Sequence, residues 1–375
     1  MKKITNNIEP FIGNEELKSL KNAISKKEIS TYGSITKKFE DKISNFTNYK
    51  YTIGVNSGSS GLFLAFKSLK PKKDEIIITS TYTFVATINS IIASGCKPWI
   101  FDVDENNLCL NLDKLSIELE KNLVKKGKFY YHKIYQKKVI GICPVIFAGY
   151  ELNLKRLKKI AVKFNLKIIS DSAGAIGLFQ NQKNFSRFSD INIISFNGNK
   201  LLTTGGGGTI STNNYEIYKS IKSYSSNCTT KSKYIHHDNG FNMKMTNIHA
   251  SIGIAQLKKK NKIFKLKKKI CNTYLKEIKN IKIKTLCKKK DIPWIFPIIT
   301  QNFLVKNQIK KYLKKENIIL KEFWIPMHDQ PFKKKMILSN FNNINRLKNR
   351  ILILPSDINL KLSIIKKITD KLNKI

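Results

Sequence analysis

A chain of 375 residues, 41% of them apolar, can bury a large core and fits one big domain with a smaller one beside it. Its formal charge of +43 comes almost wholly from lysine, since only Arg156, Arg187, Arg346 and Arg350 are arginines. That argues against specific nucleic-acid recognition, which draws on the arginine fork, and no run approaches the ~20 apolar residues of a membrane span. Dense lysine runs such as Leu257-Lys-Lys-Lys and Leu266-Lys-Lys-Lys lie on helical patterns and read as solvated faces. Cys96, Cys109, Cys143, Cys228, Cys271 and Cys287 show no C-x-x-C and no metal-ligand spacing, so reduced core thiols are expected and no metal. With no hydrophobic signal core at the start, a cytoplasmic location follows.

Strand-like runs at 51–55, 75–79, 98–103, 139–146, 166–170, 191–196 and 208–211 alternate with helical patterns. That alternation predicts an α/β fold, a mostly parallel sheet flanked by helices. Residues 118–138 read as a helix end and a connecting loop. A long helix is expected over 250–274, then a smaller α+β region with strands near 282–286, 294–299 and 318–323 and helices at 305–316 and 362–372. The expected division is 1–245 for the large domain and 246–375 for the connecting helix and small C-terminal domain.

Four segments carry chemistry. The strand at 51–55 runs through Asn56-Ser-Gly-Ser59-Ser60-Gly into an apolar helical pattern, and such a hydroxyl-rich helix start cradles phosphate with free N–H groups. Phe84 lies just beyond the second strand. Asp171 ends a short buried strand, facing the crevice where open α/β sheets bind ligands. Last comes Ser195-Phe-Asn-Gly-Asn-Lys200-Leu-Leu-Thr-Thr followed by four glycines. A lysine held between a hydroxyl and a pliable backbone suits an amine that must form and break an imine with a cofactor aldehyde.

In that order the four segments resemble the DegT/DnrJ/EryC1/StrS family of sugar aminotransferases, pyridoxal-phosphate enzymes of the type I aminotransferase fold. Further matching stretches are Ser30-Thr-Tyr-Gly, Val55-Asn-Ser-Gly-Ser-Ser-Gly-Leu, Thr83-Phe-Val-Ala-Thr, Gly240-Phe-Asn-Met-Lys and Ile325-Pro-Met-His328-Asp-Gln-Pro. The wording Phe-Asn-Gly-Asn-Lys with Thr-Thr-Gly-Gly-Gly-Gly is similar to members acting on UDP-linked 4-keto-6-deoxy-N-acetyl sugars.

The resemblance implies pyridoxal 5'-phosphate as cofactor, with Lys200 as its imine lysine and proton carrier and Asp171 on the pyridine nitrogen. It implies that Phe84 stacks on the cofactor ring, and that Ser59, Ser60 and Ser195 hold the phosphate. Asn242 would reach the phosphate of a neighbouring subunit, making a homodimer with shared active sites. Tyr32 and His328 would lie near the sugar, and the substrates would be glutamate and a nucleotide-linked sugar destined for surface polysaccharide. Five positions depart from the family pattern: Ile146, Ala148, Ser170, Gly174 and Lys244. Other readings are a sugar dehydratase relative, against which Lys200 itself argues, a catalytically impaired member, and a basic nucleic-acid-binding protein.

Overall fold

The strands Ile76–Ser80, Val139–Cys143, Ile191–Ser195 and Gly208–Thr212 are buried at every residue, because isoleucine and valine supply apolar side chains to both faces, while Thr79 Oγ1 donates to Cys143 O. A computed structural model describes residues 4–5, 8–182, 184–230, 232, 234–320 and 322–375. In it these strands belong to a sheet of eight. From edge to edge the order is Ile337–Leu338, Lys97–Phe101, Ile76–Ser80, Val139–Cys143, Lys167–Asp171, Ile191–Ser195, Gly208–Thr212 and Tyr51–Val55. Every pairing is parallel except the two made by Gly208–Thr212. The chain therefore leaves Tyr51–Val55 at one edge and re-enters at Ile76–Ser80, across the sheet, and ligand crevices open at such reversals of strand order.

Two helices start where strands end. Gly58–Lys67 follows Tyr51–Val55 and is capped by Ser57, whose hydroxyl accepts from Ser60 N–H. Val85–Ala93 follows Ile76–Ser80 with Phe84 at its N-cap. Asp171 and Ser195 are the last residues of their own strands, so all four sequence features meet at the carboxyl ends of the sheet.

The C-terminal part packs a three-stranded antiparallel sheet, Ile283–Thr285, Phe296–Thr300 and Ile351–Leu354, against the helices Phe303–Lys315 and Leu362–Asn373. Buried Ile298, Ile309, Leu313, Ile365, Ile368 and Leu372 form that layer. Two strand pairings cross the expected 245/246 boundary: Ile337–Leu338 returns to pair with Lys97–Phe101 of the large sheet, and Ile4–Thr5 pairs with Ile318–Ile319.

Several expectations are corrected. The loop expected within 118–138 contains a hairpin, Leu123–Lys126 with Phe129–His132, turning at Gly127 with φ +59°. The aromatic run Phe129-Tyr-Tyr-His suits a strand, as bulky aromatic side chains do, despite the surrounding lysines. The long helix is two, Asn247–Lys258 and Lys260–Glu277, broken at Lys259, whose ammonium reaches the buried Glu16 carboxylate at 2.6 Å. The strand expected at 318–323 is only Ile318–Ile319, and its Lys321 lies outside the described residues. Among the described residues no helix is long and apolar enough to cross a membrane.

Candidate active site

A cavity of about 750 Å³ opens at the carboxyl ends of the strands, within the range that holds a cofactor with its substrate. Gly58 and Ser59 line one end, and the N–H groups of a helix's first turn have no partners within the helix. Gly58 is needed there, since a Cβ would stand 2.9 Å from Ser195 Cβ. Ser195, Asn197, Gly206 and Gly207 close that end with hydroxyl, carboxamide and bare backbone.

Asp171 is buried and faces the same cavity. Neutral donors hold it: Thr87 Oγ1 donates to one carboxyl oxygen at 2.7 Å and Ala173 N–H to the other at 3.1 Å. Burial pushes its carboxyl above the usual range, against those two hydrogen bonds and the charge of Lys200. A carboxylate so placed is costly until a cation meets it.

Lys200 sits on a loop tied by its own backbone. Its N–H donates to Asn197 O at 2.9 Å, and Thr204 N–H returns to Phe196 O at 2.8 Å. Gly207 has φ +124°, and a Cβ there would stand 2.6 Å from both Met245 Cε and Thr204 Oγ1, so only glycine closes the loop. Burial lowers the Lys200 ammonium to about 8, the Asp171 charge opposing. A fraction of the amine is then neutral near pH 7, which a nucleophile or base requires.

An aromatic wall completes the cavity. Phe323 and Trp324 stack at 4.5 Å between centroids, and Trp324 also meets Phe147 at 5.6 Å and Phe84 at 6.2 Å. Trp294 stands under Lys200, whose Nζ is 3.6 Å from the ring centroid. Glu322 lines the wall too, paired with Lys306 at 3.0 Å and with Lys310.

Of the residues singled out in the sequence, the structure brings Ser59, Phe84, Asp171, Ser195 and Lys200 to one cavity. Ser60 is not on its lining: its N–H and hydroxyl are taken by Ser57 and Asn56. Nor is His328, whose Nδ1 lies 2.7 Å from Thr81 Oγ1 and Nε2 3.0 Å from Asn345 Oδ1, with the ring stacked on Phe341. Tyr32 and Asn242 are exposed and not on the lining of this cavity. Of the departures, Ile146, Ala148 and Gly174 line the cavity, whereas Lys244 bridges to Val55 at the sheet edge. Sequence reading missed Thr87, Trp294 and Trp324 as site residues. Thr87 was within reach, three residues beyond Phe84 on one helix face; nothing local marks the tryptophans.

The donor set fits pyridoxal phosphate: a helix start and hydroxyls for a phosphate, a buried carboxylate awaiting a cation such as a protonated pyridine, and an amine of lowered basicity. The fold and site are those of a pyridoxal-phosphate-dependent aminotransferase. A profile of the DegT/DnrJ/EryC1/StrS aminotransferase family matches residues 10–373, and the chain belongs to that family. It is 26% identical to the GDP-perosamine synthase of Escherichia coli O157:H7, over 86% of this chain and 85% of that one. It is 27% identical to the UDP-4-amino-4,6-dideoxy-N-acetyl-beta-L-altrosamine transaminase of Campylobacter jejuni, over 83% and 81%. Among solved structures, Helicobacter pylori PseC, an aminotransferase involved in the biosynthesis of pseudoaminic acid, superposes with a TM-score of 0.87 at 24% identity, covering 100% of this chain and 99% of that one.

Proposed function

We propose that this enzyme transfers the amino group of glutamate to the keto carbon of a UDP-linked 4-keto-6-deoxy-N-acetyl sugar, a step toward surface polysaccharide. The observation that carries the reading is the placing of Lys200 and Asp171 on one cavity beside a helix N-terminus. Pyridoxal phosphate, when bound, supplies an aldehyde carbon that carries the amino group and a ring that accepts electrons.

The chain's residues do the rest. Lys200 Nζ is the proton carrier, taking a proton from the amino donor's α-carbon and returning it on the far side of the transfer. Asp171 keeps the ring nitrogen protonated through its fixed negative charge. Ser59, Ser195 and the first-turn N–H groups hold the phosphate, while Phe84 and the aromatic wall exclude water. Tyr32 and Asn242, exposed and outside the cavity of their own chain, are assigned to the cavity of a second copy, giving a homodimer with shared sites in the cytoplasm. His328, engaged by Thr81 and Asn345, pins the 325–330 segment and has no substrate contact in this scheme.

The test is to incubate holoprotein with glutamate and a panel of UDP- and GDP-linked 4-keto-6-deoxy sugars, following the cofactor's aldehyde-to-amine spectral change and the sugar by mass spectrometry. Amination of the UDP-N-acetyl substrate with release of 2-oxoglutarate is expected, and Lys200→Ala should lose at least ~10²-fold in rate. Preference for a GDP-linked sugar would overturn the substrate assignment. Full turnover by Lys200→Ala would overturn the mechanism.

A further inference from the structure

Trp294 is fixed more firmly than a cavity-lining aromatic needs to be. Its backbone N–H donates to Ala148 O at 2.8 Å, in the 3-10 turn Phe147–Gly149 where Ala148 itself takes φ +54°. Its indole Nε1–H donates to Asn199 O at 2.6 Å, the carbonyl just before Lys200. One edge of the ring fills the space that a side chain at 174 would occupy: a Cβ on Gly174 would stand 2.8 Å from Trp294 Cε3 and 3.4 Å from Cδ2. The face of the same ring carries the Lys200 ammonium at 3.6 Å from its centroid. The missing side chain, the ring and the amine are thus three parts of one contact.

We propose that Trp294 is a positioning residue for Lys200, its indole face being the rest on which the ε-ammonium lies whenever the amine is free, and that Gly174 is the opening through which the ring reaches it. The inference rests on the reading of Lys200 as the reacting amine. An ammonium in a closed cavity loses hydration, and the negative face of an indole replaces part of it, more effectively than any other side-chain ring. The gain belongs to the charged form alone. The ring therefore retains the amine while it is protonated and releases it on losing the proton, which sets when the amine is free to react. The carboxylate of Asp171 also favours the charged form, and burial opposes both. Glu322, the other acid on the cavity, is already paired with Lys306 and Lys310.

The test uses cofactor-free full-length protein, so it does not depend on turnover. Lys200 is acylated with a limiting amount of acetic anhydride across a pH series, and the extent of labelling at that residue, read by mass spectrometry, gives its titration midpoint. Trp294→Leu should move the midpoint down from about 8 by about 0.5–1.5 pH units, the value of a desolvated cation–π contact, and so raise labelling at pH 7 by roughly 3- to 8-fold. Trp294→Phe, which keeps a ring face, should restore most of the difference. Gly174→Ala, which pushes the indole away without altering it, should shift the midpoint in the same direction as Trp294→Leu. If Trp294→Leu does not fold, the other two variants decide. A midpoint unchanged or raised in Trp294→Leu and Gly174→Ala overturns the inference alone. A wild-type midpoint equal to that of a surface lysine overturns the catalytic reading of Lys200 along with it.

Discussion

Thr87 Oγ1 donates a 2.7 Å hydrogen bond to Asp171 Oδ2 and lies 2.8 Å from Thr83 Oγ1. The first turn of one helix thereby fixes the carboxylate that ends another element's strand. Thr87→Val keeps the shape and removes the donor, leaving a buried oxygen unsatisfied at a cost of about 1–3 kcal/mol. Cofactor affinity should fall by roughly tenfold, measured by spectrophotometric titration of the apoprotein. Asp171→Asn should leave the melting temperature close to wild type, because a neutral amide is easier to bury. Its turnover should drop by roughly 10²–10³-fold, as when one preorganised electrostatic partner is lost. An Asp171→Asn enzyme with wild-type kcat would remove Asp171 from the mechanism.

Ser57 accepts from Ser60 N–H at 3.0 Å and so caps the helix that faces the phosphate end. Ser57→Ala should cost about 1 kcal/mol, lowering the thermal midpoint by about 1 °C and weakening retention of the cofactor on gel filtration. Calorimetry showing no change in the apoprotein would mean the cap is dispensable.

Gly177 leaves no space for a side chain: a Cβ would stand 2.2 Å from Ile292 O and 2.9 Å from Ile292 Cβ. Backbone cannot rotate away, so Gly177→Ala must shift the segment that leads into Trp294. A loss of about 1–3 kcal/mol is expected, read as a lower denaturant midpoint. An unaltered midpoint would show that this approach is looser than the geometry indicates.

Glu40 Oε1 accepts from Gly54 N–H at 2.8 Å on the edge strand. Burial raises its carboxyl from 4.5 to about 7, against that hydrogen bond and the charge of Lys37. With the folded value raised, its contribution to stability is fully present below about pH 4.5 and is lost as the pH rises through about 7. Glu40→Gln keeps the acceptor and abolishes the titration. Between pH 5 and 8 the wild type should therefore lose roughly 2 kcal/mol more than the variant in urea unfolding; parallel pH dependences would exclude Glu40 as the source.

The site was legible where chemistry coincides with a strand end. Asp171 and Lys200 follow runs apolar on both faces, and hydroxyls follow the first strand, so order along the chain translated directly into a shared crevice. The residues that sequence missed arrive by tertiary routes. Trp294 reaches the amine from the bend ahead of the distant strand Phe296–Thr300, into space that a side chain at Gly174 would occupy. His328 sits in a segment that resembles a binding motif, yet Thr81, Asn345 and Phe341 hold its ring elsewhere. Among the elements, Ile337–Leu338 is too short for any periodicity to register, and Lys259, where the long helix breaks, pairs with Glu16, far away in sequence.

The large sheet ends in chain rather than in open hydrogen-bonding groups. On one side Ile337–Leu338 covers Lys97–Phe101; on the other, Met245 N–H donates to Gly54 O at 3.0 Å and Met243 O accepts from Asn56 N–H at 2.9 Å. A parallel sheet rich in isoleucine, if left with bare margins, would recruit strands from other molecules during synthesis or heating. Here the late-arriving stretches around 243–245 and 337–338 are the guards, so a chain interrupted before them would carry an adhesive flank that the finished protein conceals.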